Sequence, residues 1–600
     1  MILVFGGTTE GRKVVEALDR AGKRYFYSTK SNLQKVESHY AVRITGGLDL
    51  RSMTDFCIRN EIKLMVDAAH PFAANLHSTV AQVSNELDIP AIRFERKYPP
   101  RDARIVWCED YDDAVKNLMN DDVRQLLALT GVQTISKLKD FWQSHECHFR
   151  ILNRQESLLK AKAAGFPEEN LCFYEDNGDI AALIDKYHPD AIITKESGET
   201  GGFDEKVEDA LAVGVKVYAV CRPKLPEYSA TVTGEYGLRK EVERLLPGFF
   251  ELRSGFTTGA CATAAAKSAM LALVCDEESD HVSFCIPAGE EMRMKVESLR
   301  VISSDTAEAS VIKDAGDDPD VTDGCRVVAR VTLANHNDVR FHGGEGIGIV
   351  TLPGIGLEIG EPAINPVPRQ MMRDELLTIY PKGCDVTISV PGGEELSKKT
   401  FNSRIGIVGG ISIIGTSGIV MPFSNEAFME AIRREMEVAK ALGCDRVVLN
   451  SGARSEKIVR AKYPELPSAA FIHYGNAIGE SLRSASELGI DKVTVGLMLG
   501  KAVKLAEGNT DTHSHKVTMN REFLCKVAEE AGCSGEAKDS ILSVNMAREL
   551  WTTLSSEDSD KFFPRLLSLC RLSCRACYPT GQLTLMLITD SGEIQEMRNP

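Results

Sequence analysis

Over the first 245 residues, short runs rich in Val, Ile, Leu and aromatic residues alternate with amphipathic stretches of helical period. The runs fall at 1–5, 24–28, 41–45, 62–67, 124–130, 190–194 and 215–220, and stretches such as 8–21, 72–87, 133–143 and 203–213 lie between them. Strands separated by helices pair in parallel through right-handed crossovers, so this part of the chain is held to an α/β architecture with helices covering its sheets. Tyr98-Pro99-Pro100 interrupts the rhythm, and two Rossmann-like units are expected, over 1–100 and 101–247. Leu246-Pro247-Gly248 ends a helix, and 250–400 reads as an α+β domain of short glycine-rich strands behind an Ala-rich helix. The rhythm returns with strands at 405–408, 445–449 and 492–499, which predicts a further Rossmann-like α/β domain over 401–600.

A chain of 600 residues is too long for one core and accords with three to four domains of ~150 residues. Its net charge of −16 argues against nucleic acid or an anionic membrane as partner, since binding phosphates takes clustered Lys and Arg. No apolar run approaches the ~20 residues of a membrane span. Met1–Phe5 is broken by Gly6-Gly7-Thr8 too early for a secretory signal. The 16 cysteines are mostly scattered singly through apolar segments, as reduced thiols are, and a cytoplasmic protein is expected.

Strand 1–5 runs into Gly6-Gly7-Thr8-Thr9-Glu10-Gly11 and a helix, the form of a nucleotide-binding first turn in which glycines let the backbone approach a pyrophosphate. A plain strand–helix turn has the same form, because the spacing departs from G-x-G-x-x-G. At the end of the second strand, Ser28-Thr29-Lys30-Ser31 stands where an NAD-specific fold places an acid for the ribose diol. Hydroxyls and a cation there suit the 2′-phosphate of NADPH, or else form a solvated loop. Asp67-Ala68-Ala69-His70-Pro71-Phe72-Ala73 puts His70 at a sheet's C-terminal edge, and Thr194-Lys195-Glu196-Ser197-Gly198 and Arg222-Pro223 end later strands. Arg93, Arg96, Lys97, Arg101 and Arg104 form a basic cluster in an acidic chain, fit for a polycarboxylate or for solvation.

These three motifs in this order, closed by Arg222-Pro223, resemble the precorrin-6A reductase family over about 1–245. The resemblance implies a two-domain Rossmann-like enzyme that delivers hydride from NADPH or NADH to precorrin-6A or its cobalt form. The residues singled out are His70 and Lys195 for catalysis, Gly6, Gly7, Thr8, Thr9, Glu10, Gly11, Ser28, Thr29 and Lys30 for the cofactor, and Arg93, Arg96, Lys97, Ser197, Gly198 and Arg222 for substrate.

Further on, Arg253-Ser254-Gly255-Phe256-Thr257-Thr258-Gly259 leads into the Ala-rich helix and sets Thr257, Thr258 and Cys261 at its N-terminus. Asp314, Asp317, Asp318, Asp320 and Asp323 are five carboxylates within eleven residues, able to keep a proton, hold a cation, or form a solvated turn. Gly344 to Arg369 is dense in Gly and Pro, as a loop shaped around something would be. Gly409 to Gly418 follows strand 405–408 as a nucleoside-binding turn would, and Asn450-Ser451-Gly452-Ala453-Arg454 and His473-Tyr474-Gly475-Asn476 stand at strand ends. His513-Ser514-His515 lacks a third metal ligand, so no metal site is expected.

Together these segments resemble the cobalt-precorrin-5B C1-methyltransferase family over 250–600. The resemblance implies S-adenosylmethionine as methyl donor, an α+β domain joined to a Rossmann-like one, and a site that works by alignment and exclusion of water. The residues singled out are Thr257, Thr258, Asp317 and His513 for catalysis, Gly415, Thr416, Ser417, Gly418 and Asn476 for the cofactor, and Arg253, Arg369 and Arg454 for substrate. The product of the second half is the substrate of the first, so the expected protein is bifunctional, with cobalt-precorrins as small-molecule partners and homo-oligomerisation an open option. Two alternatives stand beside it. One half could be a non-catalytic corrinoid-binding module, and Cys570, Cys574 and Cys577 reproduce the C-x3-C-x2-C spacing of radical iron–sulfur enzymes.

Overall fold

The computed structural model describes all residues except 31–35, 175–179, 199, 201, 514–516, 590 and 598–600. Ser31, Ser514 and His515 thus lie outside the described residues. The chain divides between Leu252 and Arg253 into two compact units. No helix among the described residues is long and apolar enough to cross a membrane.

Among its described residues the first unit holds twelve strands: β1 (Ile2–Phe5), β2 (Tyr25–Thr29), β3 (Ala41–Thr45), β4 (Leu64–Asp67), β5 (Ala91–Phe94), β6 (Val106–Cys108), β7 (Gln125–Ala128), β8 (Glu146–Ile151), β9 (Leu171–Phe173), β10 (Ala191–Lys195), β11 (Lys216–Val220) and β12 (Ala230–Val232). They form two six-stranded sheets, ordered β12-β5-β4-β1-β2-β3 and β6-β11-β10-β7-β8-β9. Every pairing in both is parallel, the consequence of the helical crossovers. Strands β1, β4 and β5 are buried along their whole length, which explains their unbroken apolar runs.

The expected segment 101–247 does not stay in one sheet. Strand β12 pairs with β5, and the following helix Glu235–Leu245 packs on the first sheet through Leu238 and Val242. The physical reason lies in β5: a strand this buried cannot end a sheet, and three residues of β12 with one helix are enough to cover its edge.

The second unit adds β13 (Gly255–Phe256), β14 (His281–Cys285), β15 (Glu291–Lys295), β16 (Ser298–Val301), β17 (Thr306–Ile312), β18 (Arg326–Leu333), β19 (Val339–Gly343), β20 (Ile349–Val350), β21 (Cys384–Ser389), β22 (Ile407–Val408) and β23 (Ile419–Val420). Strands β16-β17-β18-β21-β19 make a mixed sheet, and helix Thr258–Val274, buried on nearly every side, packs on it. Its small residues permit that burial. A last sheet, β25-β24-β26-β27-β28, comprises β24 (Arg446–Asn450), β25 (Phe471–His473), β26 (Lys492–Met498), β27 (Gln582–Ile588) and β28 (Ile594–Met597), with only β28 antiparallel.

One expectation fails here. The strand predicted at 405–408 is the two-residue β22, antiparallel to β20 and outside the parallel sheet. Gly409 to Gly418 is therefore not the first turn of a Rossmann-like unit. It is held instead to the Gly/Pro-rich loop by bridges Ile347–Ile411 and Ile364–Ile413.

Candidate functional site

In the first unit, Thr8 caps helix Thr9–Asp19, accepting from Gly11 N at 3.1 Å and donating to Ala68 O at 2.7 Å. The loop's glycines serve two purposes. A Cβ on Gly6 or Gly11 would overlap the ring of Tyr27, which rises from β2 and whose hydroxyl accepts from Gly7 N at 3.2 Å. Gly7 itself has φ +101° and faces open space, with no atom within 4 Å of a Cβ position. Thr9 opens the helix and is touched by the Arg12 guanidinium, whereas Ser28 and Thr29 are buried and Lys30 is exposed at the end of β2.

Glu10 differs from its expected role. It is buried, bound by Arg96 at 2.8 Å and by the Thr200 hydroxyl at 2.5 Å. Burial works to raise its pKa, but these donors outweigh it and hold the carboxyl below its ordinary range. Arg96 also donates to Ser197 O at 2.8 Å, so this pair ties the first loop of one sheet to the β10 loop of the other. Ser197 and Gly198 press against that seam: a Cβ on Gly198 would stand 2.9 Å from Lys97 O.

Arg93 is not a substrate cation either. It is 1% exposed and donates to the Asp67 carboxylate, to Asp67 O, to Ala69 O and to Glu95. Asp67 is further bound by His77 at 2.6 Å and by the Tyr228 hydroxyl at 2.7 Å, while His77 reaches His70 O at 3.1 Å. The network is the footing of the loop that presents His70. The basic cluster read from sequence is thus mostly ion-paired scaffolding. Arg101 is paired with Glu196, Arg104 with Asp102, and Arg222 stacks 3.6 Å over Tyr98. Sequence reasoning missed other cations: Arg150, Lys137 and Lys206 share an electrostatic neighbourhood with Lys195 and Arg96. They sit on helices and on β8, where single basic residues give no pattern.

His70 and Lys195 do come together beside Phe72, whose ring lies 5.5 Å from the Lys195 ammonium and 6.0 Å from the His70 ring. Burial pulls His70 down to about 4, helped by Arg96 and Lys195. Burial, with Lys137 and Lys206, pulls Lys195 down to about 8. At neutral pH, His70 is neutral and Lys195 carries an unusually labile proton.

In the second unit, several motifs meet in one hub. Thr257 caps helix Thr258–Val274, and its N–H reaches Gly418 O at 3.1 Å. Thr258 Oγ1 accepts from Ile414 N at 2.9 Å. Both hydroxyls are buried clamps and not presented groups. Gly415, φ +137°, has no room for a Cβ because Thr257 fills it, and Gly418 packs on Ile286. These glycines answer to the protein's own packing. Ser417 Oγ bonds within its turn and Thr416 Oγ1 reaches Glu430 at 3.5 Å. Asp317 accepts from Arg253 N at 2.7 Å and Arg253 also pairs with Asp314; Asp318 accepts from Phe423 N at 3.0 Å. Buried Lys313 holds Asp320 at 2.7 Å, so the acidic turn is folded around a lysine and one another's N–H groups. Cys261 is fully buried and its thiol is pushed up to about 12.

A second group stands at the C-terminal ends of the parallel strands, where such folds bind ligands. Asn476 Oδ1 accepts from Lys501 at 2.8 Å, Thr512 N donates to Asn476 O at 3.0 Å, and His513 follows directly. Burial lowers Lys501 to about 8, with Lys504 adding to it. Gly452, between β24 and the helix bearing Arg454, has nothing within 4 Å of a Cβ position. Arg369 lines a cleft of about 730 Å³ under the Gly/Pro-rich loop with Arg373. Cys570, Cys574 and Cys577 form one buried stripe on helix Ser556–Cys577 with separate neighbours: Cys570 contacts Ala502 O at 3.2 Å, and Arg483 contacts Cys577 at 3.3 Å. They are core thiols.

Comparison with known proteins divides the chain close to the boundary between the two units. Residues 1–237 match the family described as Precorrin-6x reductase CbiJ/CobK, 248–422 the family CbiD, and 511–596 its C-terminal domain. Cobalt-precorrin-5B C(1)-methyltransferase of Prosthecochloris aestuarii (strain DSM 271 / SK 413) is 43% identical over 350 residues, 56% of this chain and 94% of that protein. The enzyme of the same name from Priestia megaterium is 43% identical over 328 residues, 54% and 89%. A solved CobK precorrin-6A reductase is 20% identical, covering 41% of this chain and 97% of its own, with a TM-score of 0.35.

Proposed function

Because the chain belongs to the cobalt-precorrin-5B C(1)-methyltransferase family and carries a precorrin-6x reductase region ahead of it, we propose that it performs two successive steps on one corrin precursor. The second unit methylates cobalt-precorrin-5B at C1 and the first reduces the resulting cobalt-precorrin-6A. The observation that carries this is the pairing itself: one chain holds two enzyme regions whose product and substrate coincide.

NADPH or NADH supplies the hydride of the reduction. Gly7 leaves open space for its pyrophosphate beside the N-terminus of helix Thr9–Asp19, and the exposed Lys30 suits a 2′-phosphate. Reduction also consumes a proton. Lys195 suits its delivery, being protonated up to about pH 8, whereas His70 at about 4 has none to give and serves as a neutral hydrogen-bonding wall.

S-adenosylmethionine supplies the methyl group. Its fit is best at the Ser451-Gly452 turn and Asn476, where the strand ends are open, with Lys501 fixing the amide of Asn476. The hub of Thr257, Thr258 and Gly415 then acts as the rigid wall that aligns acceptor with donor.

The test is mass spectrometry of the full chain given cobalt-precorrin-5B, S-adenosylmethionine and either reduced nicotinamide. Gain of one methyl group and two hydrogens supports the reading. Gain of the methyl alone would reduce the first unit to a binding module.

A further inference from the structure

Seven described non-glycine residues have left-handed backbone, and six are Asp, Asn, Glu or His. The seventh is Phe423, at φ +54°. Short polar side chains reach this region through local hydrogen bonds, whereas for a bulky one it is strained and persists only where its surroundings fix it. The fixing contact is present: Phe423 N donates to Asp318 Oδ1 at 3.0 Å, directly beside the Asp317–Arg253 pair. Burial does not repay this strain, because the Phe423 side chain is 71% exposed.

Two further apolar side chains share the setting. Ile414 is 50% exposed although its own N–H is clamped by Thr258. Phe428, 42% exposed, lies in the first turn of helix Asn425–Ala441 and stands 2.9 Å from where a Cβ on Gly475 would be, next to Asn476. The same helix reaches Thr416 through Glu430. Ile414 and Phe423 are thus anchored on the hub, and Phe428 beside the strand ends assigned to the methyl donor, and exposed apolar groups of this kind mark an interaction site.

We infer that Phe423, with Ile414 and Phe428, forms the platform on which the flat face of the tetrapyrrole rests for methyl transfer. This rests on the proposed function of the second unit. A corrin precursor offers a broad apolar face within a rim of carboxylates, and an aromatic ring held away from the core meets such a face without first having to be unpacked. Phe423 is a positioning residue: it orients the ring and takes no part in bond making.

Phe423→Gly tests this in the full chain, with Phe423→Asn as a second variant that tolerates the same backbone. KM for cobalt-precorrin-5B should rise about tenfold while kcat and S-adenosylmethionine affinity stay near wild type. The melting temperature should rise by about 2 °C as strain is relieved, an opposition of stability and binding that a structural role would not give. Uroporphyrin, a tetrapyrrole octacarboxylate, serves as an independent fluorescent probe and should bind both variants more weakly. Unchanged KM and unchanged uroporphyrin affinity overturn the inference. So does a changed monomer–dimer equilibrium with unchanged KM, which would assign the patch to a second copy of the chain. If wild type binds uroporphyrin through Phe423 but does not methylate cobalt-precorrin-5B, the platform stands and the proposed function falls.

Discussion

Lys195 and His70 share one loop cluster but divide the pH scale between them. With Lys195 protonated up to about pH 8, kcat/KM of the reductase should fall as pH rises through 8, because the proton it delivers is lost there. Lys195→Met should remove that limb and lower the rate by ~10²-fold, whereas loss of His70 should leave the limb in place. Rates from pH 6 to 10 decide this, and an alkaline limb that survives in Lys195→Met assigns the proton elsewhere. Two glycines at the same scale predict different failures. Gly7→Val puts a β-branched residue at φ +101° in open space, so it should cost roughly 1–2 kcal/mol and block the cofactor while methylation continues. Gly415→Val collides with Thr257 and dislodges a helix cap, so methyl transfer should be lost together with stability of the second unit. Reduction of supplied cobalt-precorrin-6A should continue in that variant. Product masses for each variant separate the two outcomes.

Elements carry their own consequences. The loop after β4 stands on Asp67, His77, Arg93, Glu95 and Tyr228, all joined by hydrogen bonds beneath it. Arg93→Ala would leave Asp67 and Glu95 as buried charges without their cation, at a cost of ~3–5 kcal/mol, a large part of a domain's stability. Unfolding of the first unit in denaturant should shift accordingly. Lys97→Gln removes a partly exposed cation and should alter substrate KM and its salt dependence with little change in the midpoint. On helix Ser556–Cys577 the cysteine stripe is packing. Cys574→Ala should cost about 1–2 kcal/mol in thermal unfolding and leave methyl transfer active, with or without iron chelator. Activity that disappears with chelator would revive the cluster reading.

For the whole molecule, the division at Leu252/Arg253 predicts two separable catalysts, since each unit has its own buried cores. Chains 1–252 and 253–600 expressed apart should each fold and keep one activity, the first with added cobalt-precorrin-6A and the second with cobalt-precorrin-5B. A piece that folds but is silent until its counterpart is added would mean that the sites are not independent.

Sequence by itself determined the alternation of β and α, the parallel sheets of the first unit, and the loops at strand ends, because hydrophobic period and glycine turns are local properties. It also carried both family resemblances, since each motif is short and contiguous. What it did not hold was the destination of charge. Arg93, Arg96 and Glu10 read as a ligand-facing set, but the fold turns them inward onto Asp67, Glu95, Ser197 and one another. Strand β12 was too short to signal itself, and only the buried edge of β5 gives it a place. The turn at 409–418 followed an apolar run that looked like a parallel strand, yet its partner proved to be β20 and its glycines proved to fit Thr257 and Ile286. Phe423 carries no motif at all. Pairing, burial and backbone strain are relations between residues far apart in the chain, and tertiary structure alone decides them.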